Sequence, residues 1–351
     1  MLKPFIQKHT VNKPSISYSL SITFLVITFF LGVGVGTVQV SFKEMMAIFS
    51  HHLLPLSNDV DPLLDNIVLN IRLPRVILAG LVGASLSLAG AAFQGLLRNP
   101  LADPYTLGVS SGASVGAVTV IFFQISLPFM GLLTLPIASI IAAFITIFIV
   151  LFFARKIEPG MRVETIILTG IIFSSFLGAF LSLIIALSGQ ELRQIIGWLL
   201  GSVSMRDWSY VWLNVPFFMI GAFLLLFNTR ELNAMSFGEE QAQHLGVNVE
   251  KRKRLVLFAG SLLTGAAVAV SGTIGFVGLV IPHLTRLLWG PDHKHLLPLS
   301  MFVGAGFLIL ADLIARTIIQ PAELPIGVIT AIIGAPVFAI ILMRRRKESR
   351  G

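Results

Sequence analysis

Residues 71–117 read IRLPRVILAGLVGASLSLAGAAFQGLLRNPLADPYTLGVSSGASVGA, and three features of this stretch decide the fold. From Val76 to Leu97 no side chain is charged, which matches the ~20 apolar residues a helix needs to cross a hydrocarbon layer roughly 30 Å thick. Ala79, Gly83, Ser87, Ala91 and Gly95 recur at every fourth position, and so do Gly108, Gly112 and Gly116. Small residues at that spacing share one helix face and let helix backbones approach closely. Between the two repeats lies Arg98-Asn99-Pro100-Leu101-Ala102-Asp103-Pro104, whose prolines favour an extended path. Within a membrane protein such backbone must face water or be buried in protein. The stretch therefore reads as two packed membrane spans joined by a short turn.

The same pattern continues along the chain. Of its 351 residues 55% are hydrophobic and 12% charged, against about 25% charged in soluble domains. Apolar runs bounded by charged or Pro/Gly-rich loops fall near 18–38, 74–96, 106–124, 132–154, 163–187, 208–228, 254–271, 274–289, 296–317 and 325–343. The expected fold is an all-α polytopic membrane protein with about ten transmembrane helices. The eighth run is short and contains Pro282, so a kink or tilt is expected there. The first run is too long for the apolar region of a secretory signal and is read as an uncleaved span. Small residues also recur at Gly327, Ala331 and Ala335 in the last run, where helix packing or a subunit interface accounts for them.

Lysine and arginine accumulate in cytoplasmic loops, and this sets the orientation. With the N-terminus inside, 19 of the 25 basic residues lie inside; the exceptions are Lys43, Arg72, Arg75, Arg193, Arg206 and Arg316. Acidic residues divide almost evenly, so both termini are expected to be cytoplasmic. The net charge of +8 follows from these loops and does not point to nucleic acid. The implied organisation is a cytoplasmic segment 1–17, one transmembrane domain 18–343 with an inner loop 229–254, and a basic tail 344–351.

Several chemistries are excluded or unsupported. The chain has no cysteine, hence no disulfide, thiolate ligand or thiol nucleophile. It has no G-x-x-x-x-G-K-[ST] sequence, so it does not cradle nucleotide phosphates in the P-loop manner. Its seven histidines form no metal-ligand pattern, and no cofactor is expected on this chain. No span carries the series of carboxylates that a proton relay requires, which disfavours a stand-alone secondary transporter. No nucleophile–base or paired-carboxylate pattern suggests an enzyme.

Arg72 and Arg75 mark the outer entrance of the second span and Arg316 the outer end of the ninth. Three readings stand side by side: interfacial anchors, a local pair of Arg316 with Asp312 four residues before it, or guanidinium groups offered to acidic side chains of an external partner. The longest inner loop reads RELNAMSFGEEQAQHLGVNVEKRKR over 230–254. Its middle, 238–245, has an acidic start and a glycine stop at Gly246, the signature of a short helix. That helix either lies in a solvated linker or docks into a groove on a soluble partner.

Residues 71–117, together with GTIGFVGLVIPHLTRLLWGPDHKHLLPLS (272–300) and ADLIARTIIQPAELPIGVITAIIGAPVF (311–338), resemble the FecCD family of ABC-importer permeases, which serve iron-siderophores, haem and cobalamin. The likeness extends from about residue 65 to 343, and the first 60 residues carry no motif of use. The resemblance implies the type II ABC importer permease architecture in the cytoplasmic membrane. A second permease subunit, identical or related, would complete the pathway, with two cytoplasmic ABC ATPases that use ATP and Mg and an extracytoplasmic substrate-binding protein. It further implies that Arg72, Arg75 and Arg316 receive acidic residues of the binding protein, that Asn99, Pro100 and Leu101 lie at the cytoplasmic gate, and that Ser236, Gly238, Glu239, Ala242, Leu245 and Gly246 couple to the ATPase. The cargo it favours is an iron(III)-siderophore, with cobalamin or haem as alternatives.

Overall fold

The computed structural model describes residues 14–53 and 60–348, and among them there is no strand. Helix α1 (Pro14–Gly34) makes the first span, and α2 (Phe42–Leu53) follows it on the outer side. Helix α3 (Pro62–Asn66), a π-helix over Ile67–Arg72 and α4 (Leu73–Leu96) run on without a break as the second span. A 3-10 turn (Pro104–Leu107) leads into α5 (Val109–Phe122), followed by α6 (Thr134–Ile157), α7 (Val163–Leu187), the short outer α8 (Leu192–Leu199) and α9 (Trp208–Leu226). The inner helices α10 (Thr229–Ser236) and α11 (Glu239–His244) precede α12 (Val249–Ser271), α13 (Val277–Trp289), α14 (His293–Thr317) and α15 (Ile326–Glu348). Among the described residues seven segments are long and apolar enough to cross a membrane, and the three shorter apolar helices α5, α13 and the 326–341 part of α15 complete the ten.

The differences from the sequence reading have local causes. Helix α1 is described from Pro14 onward. The segment 1–17 is thus helical from Pro14 onward. Residues 1–13, with Lys3, Lys8, His9 and Lys13, lie outside the described residues, as do 349–351 with Arg350. The backbone of α15 is helical through Glu348, into the basic tail 344–351. Helix α12 starts five residues before the expected 254, because Asn248 caps it by accepting from the Lys251 N–H at 3.0 Å. The outer helices α2 and α8 are too short to register as spans.

The π-helix explains how the second span aims its arginines. Pro74 sits in the first turn of α4 and has no N–H to return to the preceding turn. The Leu73 N–H closes instead on the Val68 carbonyl, five residues back. This widened turn leaves Ile71 exposed and Arg72 buried.

Helices α4 and α12 are the most enclosed spans. Their neighbours come within backbone contact: a Cβ built on Gly83 would lie 2.2 Å from the Gly304 carbonyl oxygen of α14, and one on Gly90 would lie 1.8 Å from that of Gly278 on α13. Two of the three small-residue repeats are therefore packing faces, as Gly112 of α5 also meets Thr146 of α6. The third is different. Gly327 packs on the turn after α8, but Ala335 and Ile332 of α15 are exposed. Helix α7 is the least enclosed long span, with Leu168, Phe176 and Leu183 exposed.

Candidate functional site

At the outer end, α1, the π-helix, α14 and the loop before α15 converge on a cavity of about 310 Å³ lined by Thr37, Ile71, Arg72, Arg75, Arg316 and Glu323. The three arginines singled out from the sequence meet here, and each already holds acceptors of this chain. Arg72 is 5% exposed. Its Nη1 donates to the Val33 and Gly34 carbonyls, each at 2.9 Å, and its Nη2 to that of Val38. Arg316 donates from Nη2 to the Gly32 carbonyl. The Gly32, Val33 and Gly34 carbonyls belong to the last turn of α1, where the helix supplies no further donor of its own, and that of Gly34 also accepts from the Val40 N–H at 3.1 Å; two arginines thus help to close that helix.

Arg75 does something else. Its Nε donates to both Asp312 oxygens, at 3.0 and 3.1 Å, and its Nη2 to Asp312 Oδ1 at 2.8 Å. The same guanidinium reaches Glu323 through Nη1 at 2.9 Å and Nη2 at 3.1 Å. The local pair considered from the sequence exists, but its Asp312–Arg316 separation of 3.8 Å makes it secondary to Arg75. Glu323 escaped the sequence reading; its signal is that it is the sole charged residue between Arg316 and Arg344. Burial pushes its carboxyl up, but hydrogen bonds from Arg75 and Ser204 and the charges of Arg75 and Arg316 outweigh this and hold it below the usual range. Three guanidiniums against two carboxylates leave the cavity with an excess positive charge.

At the inner end, the turn after α4 reverses at Arg98, whose φ of 48° is left-handed. Asn99 Oδ1 accepts from the Leu101 N–H at 2.9 Å, so its side chain is engaged in shaping the turn. Leu101 is exposed and Pro100 half-buried. The path does not stay extended throughout: Asp103 caps Tyr105 at 3.0 Å, and Pro104 opens the 3-10 turn. The Tyr105 hydroxyl donates to the Ile274 carbonyl at 2.8 Å and accepts from its N–H at 3.1 Å, pinning the turn to the non-helical chain before α13.

The inner loop 229–254 forms two helices, not one. Helix α10 is fixed by Asn233, whose Nδ2 donates to Asp292 at 2.7 Å and whose Oδ1 accepts from the His293 N–H at 2.9 Å and lies 2.7 Å from the His293 Nδ1. Burial works against ionisation of Asp292, yet the Asn233 and Lys294 donors keep its carboxyl below the usual range. The His293 ring reaches Gly95 in the last turn of α4, where a Cβ would lie 2.0 Å from Nε2. Arg252 also holds α10, bonding Asn228 at 2.6 Å and Glu231 at 3.1 Å. Helix α11 follows Gly238 at its N-cap and turns Ala242 inward, while Ser236, Leu245 and Gly246 face outward. Leu245 is 71% exposed, and Phe237, which the sequence reading missed, is 76% exposed on the same inner loop. A polar groove of about 490 Å³, lined by Arg98, Arg162, Glu164, Glu239, Glu240 and Gln241, joins this helix to the inner turn.

A model of the FecCD transport family matches residues 24–344. The chain is 58% identical over 352 residues to the uncharacterized ABC transporter permease protein YvrB of Bacillus subtilis, covering 100% of this chain and 99% of that one. It is 43% identical to the cobalamin import permease BtuC of Halobacterium salinarum, over 83% of this chain and 77% of the relative. A solved inward-facing transporter assigned to the metal-chelate type of ABC transporter superposes with a TM-score of 0.82 at 35% identity, over 94% of this chain and 99% of that one.

Proposed function

Because the chain belongs to the FecCD transport family, in which it is an ABC importer permease of the cell membrane, we propose that its cargo is a metal chelate of the iron(III)-siderophore class. The observation that carries this reading is the close structural likeness to a metal-chelate type transporter over nearly the whole chain. The iron(3+)-hydroxamate permease FhuG of Bacillus subtilis, 34% identical over 96% of this chain, supports the siderophore class. Cobalamin is the second reading, favoured by the 43% identity to the archaeal cobalamin permease.

In this reading two permease subunits enclose the pathway, and hydrolysis of ATP, with its Mg, takes place on two separate cytoplasmic ATPases. The outer cavity receives acidic side chains of a substrate-binding protein, with Arg75 as the central contact and Arg72 and Arg316 holding the wall behind it. Such carboxylates compete with Glu323 for the Arg75 guanidinium. At the other face, Phe237 and Leu245 insert into a groove of the ATPase, flanked by Ser236 and Gly246, while Gly238, Glu239 and Ala242 hold α11 against the permease. Asn99, Pro100 and Leu101 form the inner gate with their counterparts in the second subunit. Binding energy moves such a gate only through contacts that differ between its two states.

The test is uptake of radiolabelled iron, offered as several siderophores and beside labelled cobalamin, in cells with and without the gene. Loss of one ferric-siderophore uptake on deletion is expected. Loss of cobalamin uptake alone would overturn the cargo and keep the transporter.

A further inference from the structure

Four basic residues open α12, Lys251 to Arg254, and as a group they read as a topology signal. Three have at least partial access to solvent, but Lys253 is 1% exposed. A lysine at a membrane boundary normally runs its stem along apolar surface and keeps the ammonium in water. Burying it carries a desolvation penalty that only good geometry offsets. That geometry is present: Lys253 Nζ lies 2.6 Å from Glu239 Oε1 and donates to the Met161 carbonyl at 3.1 Å.

These partners belong to different elements. Glu239 is the first residue of α11. Met161, itself buried with a left-handed φ of 47°, lies in the connection between α6 and α7 two residues before α7 begins. Helix α11 has six residues and buries only Ala242, so it has almost no core of its own. We propose that Lys253 is a positioning residue that latches α11 to the inner ends of α12 and α7, so that a displacement of α11 is delivered directly to α7. Helix α7 is the least enclosed long span and hence the one with fewest internal contacts to resist that displacement. Arg252, also on α12, holds α10 through Glu231 and Asn228, while Asn233 ties α10 to the start of α14.

The proposal rests on the importer reading for its consequence but not for its geometry, and the experiment has one arm for each. In the first, amide hydrogen exchange is measured on the full-length permease alone, in wild type, Lys253→Met and the Lys253→Met/Glu239→Gln pair. The pair removes both charges and leaves none buried without a partner, so the fold is retained. Exchange in α11 is expected to rise about tenfold or more in both variants while α4 and α14 stay protected, since the opening is local. Unchanged α11 exchange would overturn the latch whatever the protein transports.

The second arm uses the assembled transporter in proteoliposomes, with ferrichrome and cyanocobalamin as probes, and compares probe imported per ATP hydrolysed. Wild type is expected to import one of them, and the double variant to hydrolyse ATP with most of the import per ATP lost. Lys253→Arg, which keeps the charge and can keep both partners, is expected to restore import. Wild-type coupling in a double variant whose α11 exchanges freely would overturn the delivery to α7. If wild type imports neither probe, the latch is judged on whether ATP changes exchange at residues 158–166 in wild type but not in the double variant; no change in wild type would overturn it.

Discussion

Asp312→Asn tests the outer cavity at its centre. The substitution preserves shape and removes one charge from a carboxylate that is 1% exposed. Arg75 approaches it to 2.8 Å, where two unit charges attract by about 6 kcal/mol at an effective dielectric constant of ~20. Much of this attraction offsets desolvation, and breaking one side of a buried pair costs about 3–5 kcal/mol because the survivor is left uncompensated. Here the survivors are three guanidiniums facing the single carboxylate of Glu323. The expected loss is therefore about 3–5 kcal/mol, a large part of the 5–15 kcal/mol typical of a folded domain. Unfolding of the purified chain by SDS titration in mixed micelles measures it. Replacing both partners, Arg75→Met with Asp312→Leu, is expected to lose less than Asp312→Asn alone. A single variant within about 1 kcal/mol of wild type, or a double variant worse than the single, would refute the reasoning. One consequence is practical: Arg72→Glu, Arg75→Glu or Arg316→Glu destabilises the permease itself, so lost uptake in those variants does not report docking.

The remaining predictions use the same contacts. Glu323→Gln leaves the Asp312 pair intact and weakens the internal competitor for Arg75, so affinity for the binding protein is expected to rise, as read by surface plasmon resonance on the reconstituted permease; unchanged affinity would remove Arg75 from docking. Glu323 is held below its unfolded value, so its contribution to stability is fully present above the unfolded carboxylate range and is lost as pH falls through the lowered folded value. The acid limb of a stability–pH curve is therefore expected to flatten in Glu323→Gln. Phe237→Ala with Leu245→Ala removes two exposed side chains, and at about 1 kcal/mol or more each for central interface residues the ATPase is expected to bind roughly tenfold or more weakly at unchanged permease stability; equal co-purification would exclude the pair from that interface. Gly90→Ala pushes a methyl against the Gly278 carbonyl, backbone against backbone, and is expected to cost about 1–3 kcal/mol as overpacking, read as reduced folded yield.

The spans were legible because each is a long local signal. Val163–Leu187 and the start at Trp208 agree with the apolar runs to the residue, and the small-residue repeats of α4 and α5 became packing faces. What the sequence did not disclose is which charged residue meets which. Arg75 and Asp312 are 237 residues apart, Asn233 and Asp292 are 59, and pairing over such distances is set by the fold rather than by spacing. The run Lys251–Arg254 shows the limit best. Four adjacent basic residues satisfy the topology rule equally, yet a turn of 100° per residue sends Arg252 toward α10 and Lys253 inward.

Helix α14 explains why the two constructed ends can act on each other. Its 25 residues span about 37 Å at 1.5 Å per residue, with Asp312 and Arg316 near one end and His293, capped by Asp292, at the other. Along its length it is joined to α4 at Gly83 and Gly304 without intervening side chains, and α4 in turn carries Arg75 at its outer end and Gly95, against His293, at its inner end. Two rods pinned together at the middle and at both ends move as one body. Relative motion within the subunit must therefore occur where packing is thin, at α7 and α15, whose exposed apolar faces have no partner in this chain among the described residues. A contact at the outer cavity reaches the inner turn through the rigid pair, and a push on α11 reaches the thin side through Lys253 and Met161. Lys253 belongs to α12, one of the two most enclosed spans, so the push enters at the boundary between the packed core and α7, and α7 is the part free to yield.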